Sequence, residues 1–229
     1  MTYLELCNAV LRELNEVELT NVTSTRGIQS AVTDFINKAQ RDIINSEVEW
    51  PFTIQNESDT TVDGQRLYAF PTNLDSDGHT HDTKTVKWKT FTIQETASLP
   101  EKRLSYISYD EYLDLYHESD TNPDGSAEGL PQYVYHTPDN KYGLSPTPDK
   151  STYTIRYSYY ATNTDMGVNA DTPVVPDRFH DVIINRAKYY AYLLRSDPQA
   201  AQFADRDYVA GLRRMRVELI NRKDYMRAV

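Results

Sequence analysis

The chain has 229 residues, 39% of them hydrophobic, and a formal net charge of −10. Its apolar runs are only a few residues long, which excludes a membrane-spanning helix, and its opening stretch lacks the basic flank and apolar core of a signal peptide. A single cysteine, Cys7, excludes an internal disulfide framework and a cysteine-based zinc site.

The first predicted element is a helix at the amino end of the chain. Thr2 and Glu5 have the spacing of a capping box, which satisfies the free backbone N–H groups at a helix start. Apolar residues then recur every three or four positions, at Leu4, Cys7, Leu11 and Leu14. The pattern predicts an amphipathic helix that ends near Asn15 and buries Cys7 as an inert thiol.

A second helix is predicted after a turn rich in threonine and serine. Ser24 or Thr25 can cap its start. Its apolar stripe is broad and consists of Ile28, Ala31, Val32, Phe35, Ile36, Ala39 and Ile43. We expect this helix to stop at Pro51, directly after Trp50, because proline cannot continue the helical hydrogen-bond pattern.

Residues 52–161 show a different pattern, in which short β-branched and aromatic stretches alternate with Gly, Pro, Asn and Asp clusters. Strands are predicted at residues 52–55, 65–70, 83–90, 91–94, 133–136, 142–145 and 152–160. The last of these has the period of a strand, since its larger side chains alternate at Tyr153, Ile155, Tyr157 and Tyr159. Between the strands, Ser108 and Glu111 have capping-box spacing and predict a short helix.

Two helices are predicted at the carboxyl end. Pro176 and Asp177 are typical of a helix start. The stripe that follows consists of Phe179, Ile183, Ala187, Tyr190 and Leu194. Asp197 and Pro198 end this helix and begin the last one, so we expect a tight helical hairpin. The last stripe consists of Ala201, Tyr208, Leu212, Met215, Leu219 and Met226.

This order of elements predicts an α+β fold. Each terminal helix has one apolar face that must be buried, so residues 1–50 and 173–229 are expected to form a helical bundle. Residues 51–172 are expected to form an inserted, antiparallel β-rich domain.

Charge is unevenly distributed along the chain. Residues 178–229 contain eleven Lys and Arg against six Asp and Glu, a balance of +5, while residues 1–177 contain 13 against 28, a balance of −15. An acidic body argues against general binding to duplex DNA, which needs a basic face. The basic end is better suited to an acidic protein surface or to a neighbouring copy.

Several segments, taken in order, resemble the head-to-tail adaptor proteins of tailed bacteriophages, in particular the tail tubular proteins of short-tailed phages. They are the opening MTYLELCNAVLRELNE, the turn VEWPFT, the pair KYGLSPTPD and TYTIRYSYYA, and the stretch TPVVPDRFHDVIINRAKYYAYL. Their order and spacing over nearly the whole chain, rather than any single piece, carry the resemblance.

The resemblance implies a non-enzymatic virion protein of the phage neck, made in the host cytoplasm. It implies a dodecameric ring that binds the portal protein on one side and the tail nozzle or tube protein on the other, and it leaves contacts to tail fibres open. DNA would pass through during ejection without sequence-specific binding. No cofactor is implied.

The candidate portal contacts are basic residues near the carboxyl end, and a solvated helix face is the alternative interpretation for them. They are Arg213, Arg214, Arg216, Arg222, Lys223 and Arg227. An acidic channel wall would repel DNA phosphates, and Glu13, Glu16 and Glu18 are candidates to face the lumen. For these acids the alternative is that they only keep a monomer soluble.

Two other functions remain as alternatives. Trp88 is a candidate glycan contact, which would suit a different virion component such as a stopper or a glycan-binding tail protein. His79, His81 and Asp82 form a metal-like cluster that would suit a metal-dependent hydrolase. Spacing supplies no further ligand to this cluster, so a solvated loop is the favoured interpretation and no metal site is predicted.

Overall fold

A computed structural model describes residues 1–71, 73–74, 80–81, 83–121, 128–162 and 164–220. The chain divides into two compact units. The first contains Met1–Thr53 and Asn163–Val229, and the second contains Ile54–Thr162. The mixture of helices with mainly antiparallel sheets confirms the predicted α+β class.

Within the described residues, the helices are α1 (Tyr3–Glu13), α2 (Ile28–Asn45), α3 (Tyr109–Leu115), α4 (His117–Asp120), α5 (His180–Leu194) and α6 (Pro198–Leu219). The strands are β1 (Ile54–Thr60), β2 (Leu67–Ala69), β3 (Asn73–Leu74), β4 (Thr80–His81), β5 (Thr83–Val86), β6 (Thr92–Gln94), β7 (Lys102–Arg103), β8 (Ser105–Tyr106), β9 (Tyr133–His136), β10 (Lys141–Ser145) and β11 (Thr154–Ala161). None of the described helices combines the length and the apolar character needed to cross a membrane.

In the first unit, α5 packs against α1, α2 and α6. Their apolar faces share one core, whose fully buried members include Leu6, Leu11, Ile36, Ile43, Val182 and Ile183. Burying a side chain of this size contributes about 1.5–3 kcal/mol. The shared core therefore offsets much of the conformational entropy that is lost when the helices become ordered.

Side-chain caps begin three helices where the sequence predicts them. The Thr2 hydroxyl accepts a hydrogen bond from the Glu5 backbone, and the Glu5 side chain completes the capping box of α1. The Ser108 hydroxyl accepts from the Glu111 backbone at the start of α3. The Asp197 side chain caps α6 in the same way.

The predicted start of α2 is wrong. Its N-cap is Gly27, which has no side chain to cap the helix, rather than Ser24 or Thr25. Gly27 has a φ of 56°, a left-handed conformation that glycine adopts without steric cost. A change of backbone direction at Gly27, rather than a hydroxyl cap, therefore begins this helix.

The predicted end of α2 is also wrong, because the helix ends at Asn45 and not at Trp50. Trp50 is fully buried, and its indole Nε1 donates a hydrogen bond to the Ile43 carbonyl oxygen at 2.8 Å. The chain must leave the helix early to let this indole fold back on α2. Pro51 therefore does not end α2, because the residues before it are already non-helical.

Three predicted elements have a tight 3₁₀ turn at one end, which displaces that end from the predicted position. Pro51–Thr53 is such a turn, so the first strand begins at Ile54. The strand predicted for residues 83–90 ends at Val86, and Trp88–Thr90 forms a second turn. Asp177–Phe179 forms a third turn ahead of α5. Turns of this kind are common connectors at element ends, and the aromatic residues in them are placed by packing rather than by strand pairing.

In the second unit, β11 is the central strand of the larger sheet, whose order is β1-β11-β6-β7 with β5 also paired to β11. A second sheet has the order β2-β10-β9-β8, and β3 pairs with β4. All described pairs are antiparallel except β8 with β9. The predicted alternation is confirmed, because Ile155, Tyr157 and Tyr159 of β11 are buried, as is Tyr153 directly before the strand.

Candidate functional site

The predicted basic surface falls on the last turns of α6. Tyr208, Leu212 and Met215 are buried against the first unit's core, and Arg213, which lies between the last two of them, points away from it. Arg213 is exposed, and the structure assigns it no ion pair with any described residue. Arg222 lies outside the described residues, as do Lys223 and Arg227.

The two arginines next to Arg213 are held by acids of the same unit. The Arg214 guanidinium forms an ion pair with Asp181 of α5 at 3.0 Å. The Arg216 Nε lies 2.5 Å from a carboxylate oxygen of Glu47, just after α2. Among the described candidates, Arg213 is therefore the one whose charge is most available to a partner.

The acids predicted to face a lumen are also engaged within the first unit. Glu13 pairs with Lys188 at 2.6 Å. Glu16 pairs with Arg195, and Glu18 lies 3.4 Å from Arg12. Each negative charge is thus partly offset by a neighbouring cation, which weakens its field at a distance.

Sequence reasoning missed a polar network that joins α2, α5 and α6. The Arg186 Nε donates to a carboxylate oxygen of Asp42 at 2.7 Å, and its Nη1 donates to Asp205 at 3.1 Å. The Tyr190 hydroxyl donates to the same Asp42 oxygen. The guanidinium also lies 4.9 Å from the ring of Tyr190 and 4.8 Å from that of Tyr208.

The environment of this network alters its proton affinities. Burial, followed by the hydrogen bond to Asp42, raises the pKa of Tyr190 to about 12. Burial opposes the charge of Arg186, but the hydrogen bond and the charge of Asp42 favour it, and the pKa of Arg186 is raised. Both groups therefore keep their protons at neutral pH, so the network fixes helix positions rather than transferring protons. The spacing of Arg186 and Tyr190, one helical turn apart, was the available signal.

A model of one protein family, described as SU10 adaptor protein, matches residues 1–229. The chain belongs to the SU10 adaptor protein family. This is a family of phage head-to-tail adaptors, which confirms the family predicted from the sequence. Its members are structural components of the virion neck. No curated protein matches the chain.

In this adaptor, Trp88 is packed on the core of the second unit. Its indole is stacked on Phe91, with ring centroids 5.5 Å apart and an interplanar angle of 11°. Tyr106 and His136 lie 5.0 and 5.2 Å from the same ring. The half-buried indole is thus packed among aromatic side chains, of which Tyr106 is exposed.

The predicted metal-like cluster of the adaptor falls largely on residues that the structure does not describe. His79 and Asp82 lie outside the described residues, and His81 is described only as a backbone position in β4, opposite Asn73. In the rest of the chain, as far as it is described, no group of three or more His, Cys, Asp or Glu side chains could hold a metal ion.

Two other reactive side chains of the adaptor are buried. Cys7 is fully buried, as predicted, and burial raises the pKa of its thiol to about 12. His180 is also buried, and its Nε2 lies 2.9 Å from the Val175 carbonyl oxygen. Burial lowers the pKa of His180, which keeps the imidazole neutral at neutral pH. Both side chains are therefore packed inside the first unit and do not face solvent.

A cleft of about 340 Å³ in the second unit is lined by Lys102, Arg103, Ser105 and residues 130–133. Its lining residues include neither an acid nor a histidine or cysteine. The cleft therefore lacks the carboxylate, imidazole and thiolate side chains that most often act as general bases or metal ligands.

Proposed function

We propose that this adaptor assembles into a closed ring that joins the phage portal to the tail nozzle or tube and lets DNA pass through its centre. The observation that carries the proposal is the match of a head-to-tail adaptor family to all 229 residues. In this proposal the chain is made in the host cytoplasm and acts without a cofactor. A dodecameric ring is the expected assembly.

The portal contact is proposed at the basic carboxyl end. Arg213 is its leading candidate, because the residue is exposed on α6 and its charge is not offset by an ion pair among the described residues. Arg214 and Arg216 can contribute only by giving up Asp181 and Glu47. Arg222, Lys223 and Arg227 belong to the same proposal.

The net charge supports a passive DNA channel. Each copy carries −10, and the copies of a ring add their charges, which disfavours binding of the phosphate backbone. Because Glu13, Glu16 and Glu18 are paired with cations, we propose that other exposed acids supply most of this repulsion.

The test is binding of the purified adaptor to the purified portal, measured by sedimentation. The wild type is expected to co-sediment with the portal, and Arg213→Glu is expected to weaken binding about tenfold or more, because it reverses a contacting charge. Arg26→Glu is the matched control, since Arg26 is exposed in the same unit but far along the chain from α6. A wild-type chain that never joins the portal would refute the proposed function.

A further inference from the structure

The end of the α5–α6 hairpin exposes apolar side chains that the first unit leaves uncovered. Leu193 and Leu194 lie in the last turn of α5, and Phe203 lies near the start of α6 with 60% of its surface exposed. The Arg206 guanidinium lies 5.4 Å from the Phe203 ring. We call these four residues the hairpin patch.

The hairpin patch has the composition of a protein interface. Arginine and aromatic side chains are enriched among the residues that dominate binding energy, and exposed apolar clusters mark interaction sites. The charge of Arg206 is only weakly offset, since its nearest acid is Asp207 at 3.8 Å and both side chains are more than half exposed. A partner with apolar side chains flanked by acids would fit this patch.

The second unit carries a surface of that kind on α3. Tyr112 faces the interior, while Leu113 and Leu115 are exposed, the latter by 63%. Asp110 and Asp114 are exposed on the same short helix, and within the described part of the chain neither has an ion pair. Leu113 lies on the same side of α3 as Asp110 and Asp114, whereas Leu115, two residues further on, points to nearly the opposite side. We call Asp110, Leu113 and Asp114 the acidic leucine surface.

We propose that the hairpin patch of one copy docks on the acidic leucine surface of the next copy, an inference that rests on the proposed ring. Leu113 would cover Phe203, and Asp110 or Asp114 would pair with Arg206. The two helices also match in length at this contact, because the seven residues of α3 span about 10 Å, which equals about two turns of α6.

This pairing is heterologous, since the two contacting surfaces are different. Contacts of this type repeat from copy to copy and generate a ring where the rotation closes. An α6–α6 contact would instead bring two copies of Arg206 together, and like charges at an interface are unfavourable. The two surfaces therefore explain how one chain can assemble with itself without a second protein between the copies.

The test uses charge exchange, with assembly followed by mass photometry in the presence of the portal. Arg206→Glu and the double variant Asp110→Lys/Asp114→Lys each place like charges in the contact. Each alone is expected to raise the concentration needed for half-assembly by about tenfold or more. An equal mixture of the two is expected to assemble like the wild type, because every contact is then either native or fully reversed.

Portal binding separates this inference from the proposed function. Arg213→Glu lies two turns from Arg206 on α6 and is expected to weaken portal binding while self-assembly persists. All variants change exposed residues, so their circular dichroism and melting temperature should match the wild type. Phe203→Ser supplies a second measurement, with weaker assembly expected.

Three outcomes would overturn the inference. Wild-type assembly by both charge variants, a mixture that fails to assemble, or normal assembly by Phe203→Ser would each exclude this contact. If those results occur while the wild type still forms a ring on the portal, only the docking surfaces are wrong. If the wild type forms no ring with the portal, the proposed function fails as well.

Discussion

Replacing Arg186 tests the network that joins α2, α5 and α6. The Arg186 and Asp42 side chains are only 21% and 29% exposed, so their hydrogen bond at 2.7 Å is largely screened from water. A hydrogen bond to a charged group contributes about 1.5–3 kcal/mol. The pair with Asp205, whose side chain is 43% exposed, adds about 0.2–1 kcal/mol. Arg186→Met is therefore expected to lower the free energy of unfolding by about 2–4 kcal/mol.

Urea unfolding followed by circular dichroism at the helix band measures this change, because the four long helices all belong to the first unit. Arg186→Lys keeps the charge but loses the planar fork, so it should recover only part of the loss. Arg12→Met is the control, since the Arg12–Glu18 pair is exposed and should contribute at most about 1 kcal/mol. An Arg186→Met protein within about 0.5 kcal/mol of the wild type would refute the reasoning.

Three further predictions concern single sites. Gly211→Ala should lower the stability of the first unit towards urea, because a Cβ at this position would lie 2.7 Å from the Val182 side chain. Overpacking of this kind costs about 1–3 kcal/mol, which exceeds the stabilisation that alanine gives over glycine within a helix. A variant more stable than the wild type would contradict this contact. Burial raises the pKa of Asp59, so its folded-state pKa exceeds the unfolded one, and stability is lost as pH rises through the folded pKa. In Asp59→Asn the side-chain oxygen can still accept the hydrogen bond from the Tyr142 hydroxyl. The melting temperature of this variant at neutral pH should equal or exceed that of the wild type, and it should change less with pH in the acidic range. A lower melting temperature at neutral pH would contradict this prediction. Cys7 should react with a thiol reagent only after unfolding, and rapid labelling of native protein would show the burial to be wrong.

Local signals predicted the parts of the fold that depend on neighbours in sequence. The caps at Thr2 and Ser108 and the alternation in β11 need only a few consecutive residues, and each is confirmed. The end of α2 could not be predicted in this way. It is determined by the contact of Trp50 with Ile43, which depends on how the chain folds back.

For the interaction surfaces, too, the sequence indicates what depends on neighbouring residues but not what depends on packing. The excess of arginine near the carboxyl end is visible in the sequence, but the pairing of Arg214 with Asp181 and of Arg216 with Glu47 depends on how the helices pack. The exposure of Phe203 was equally hidden, because an apolar residue on a helix is usually assigned to the core. Sequence alone therefore indicated a basic end but not which of its charges is available to a partner.

Electron microscopy of portal particles mixed with this adaptor tests the account most directly. An additional closed ring is expected on one end of the portal, built of repeated copies around an open channel. Bare portal particles beside single adaptor chains would contradict it.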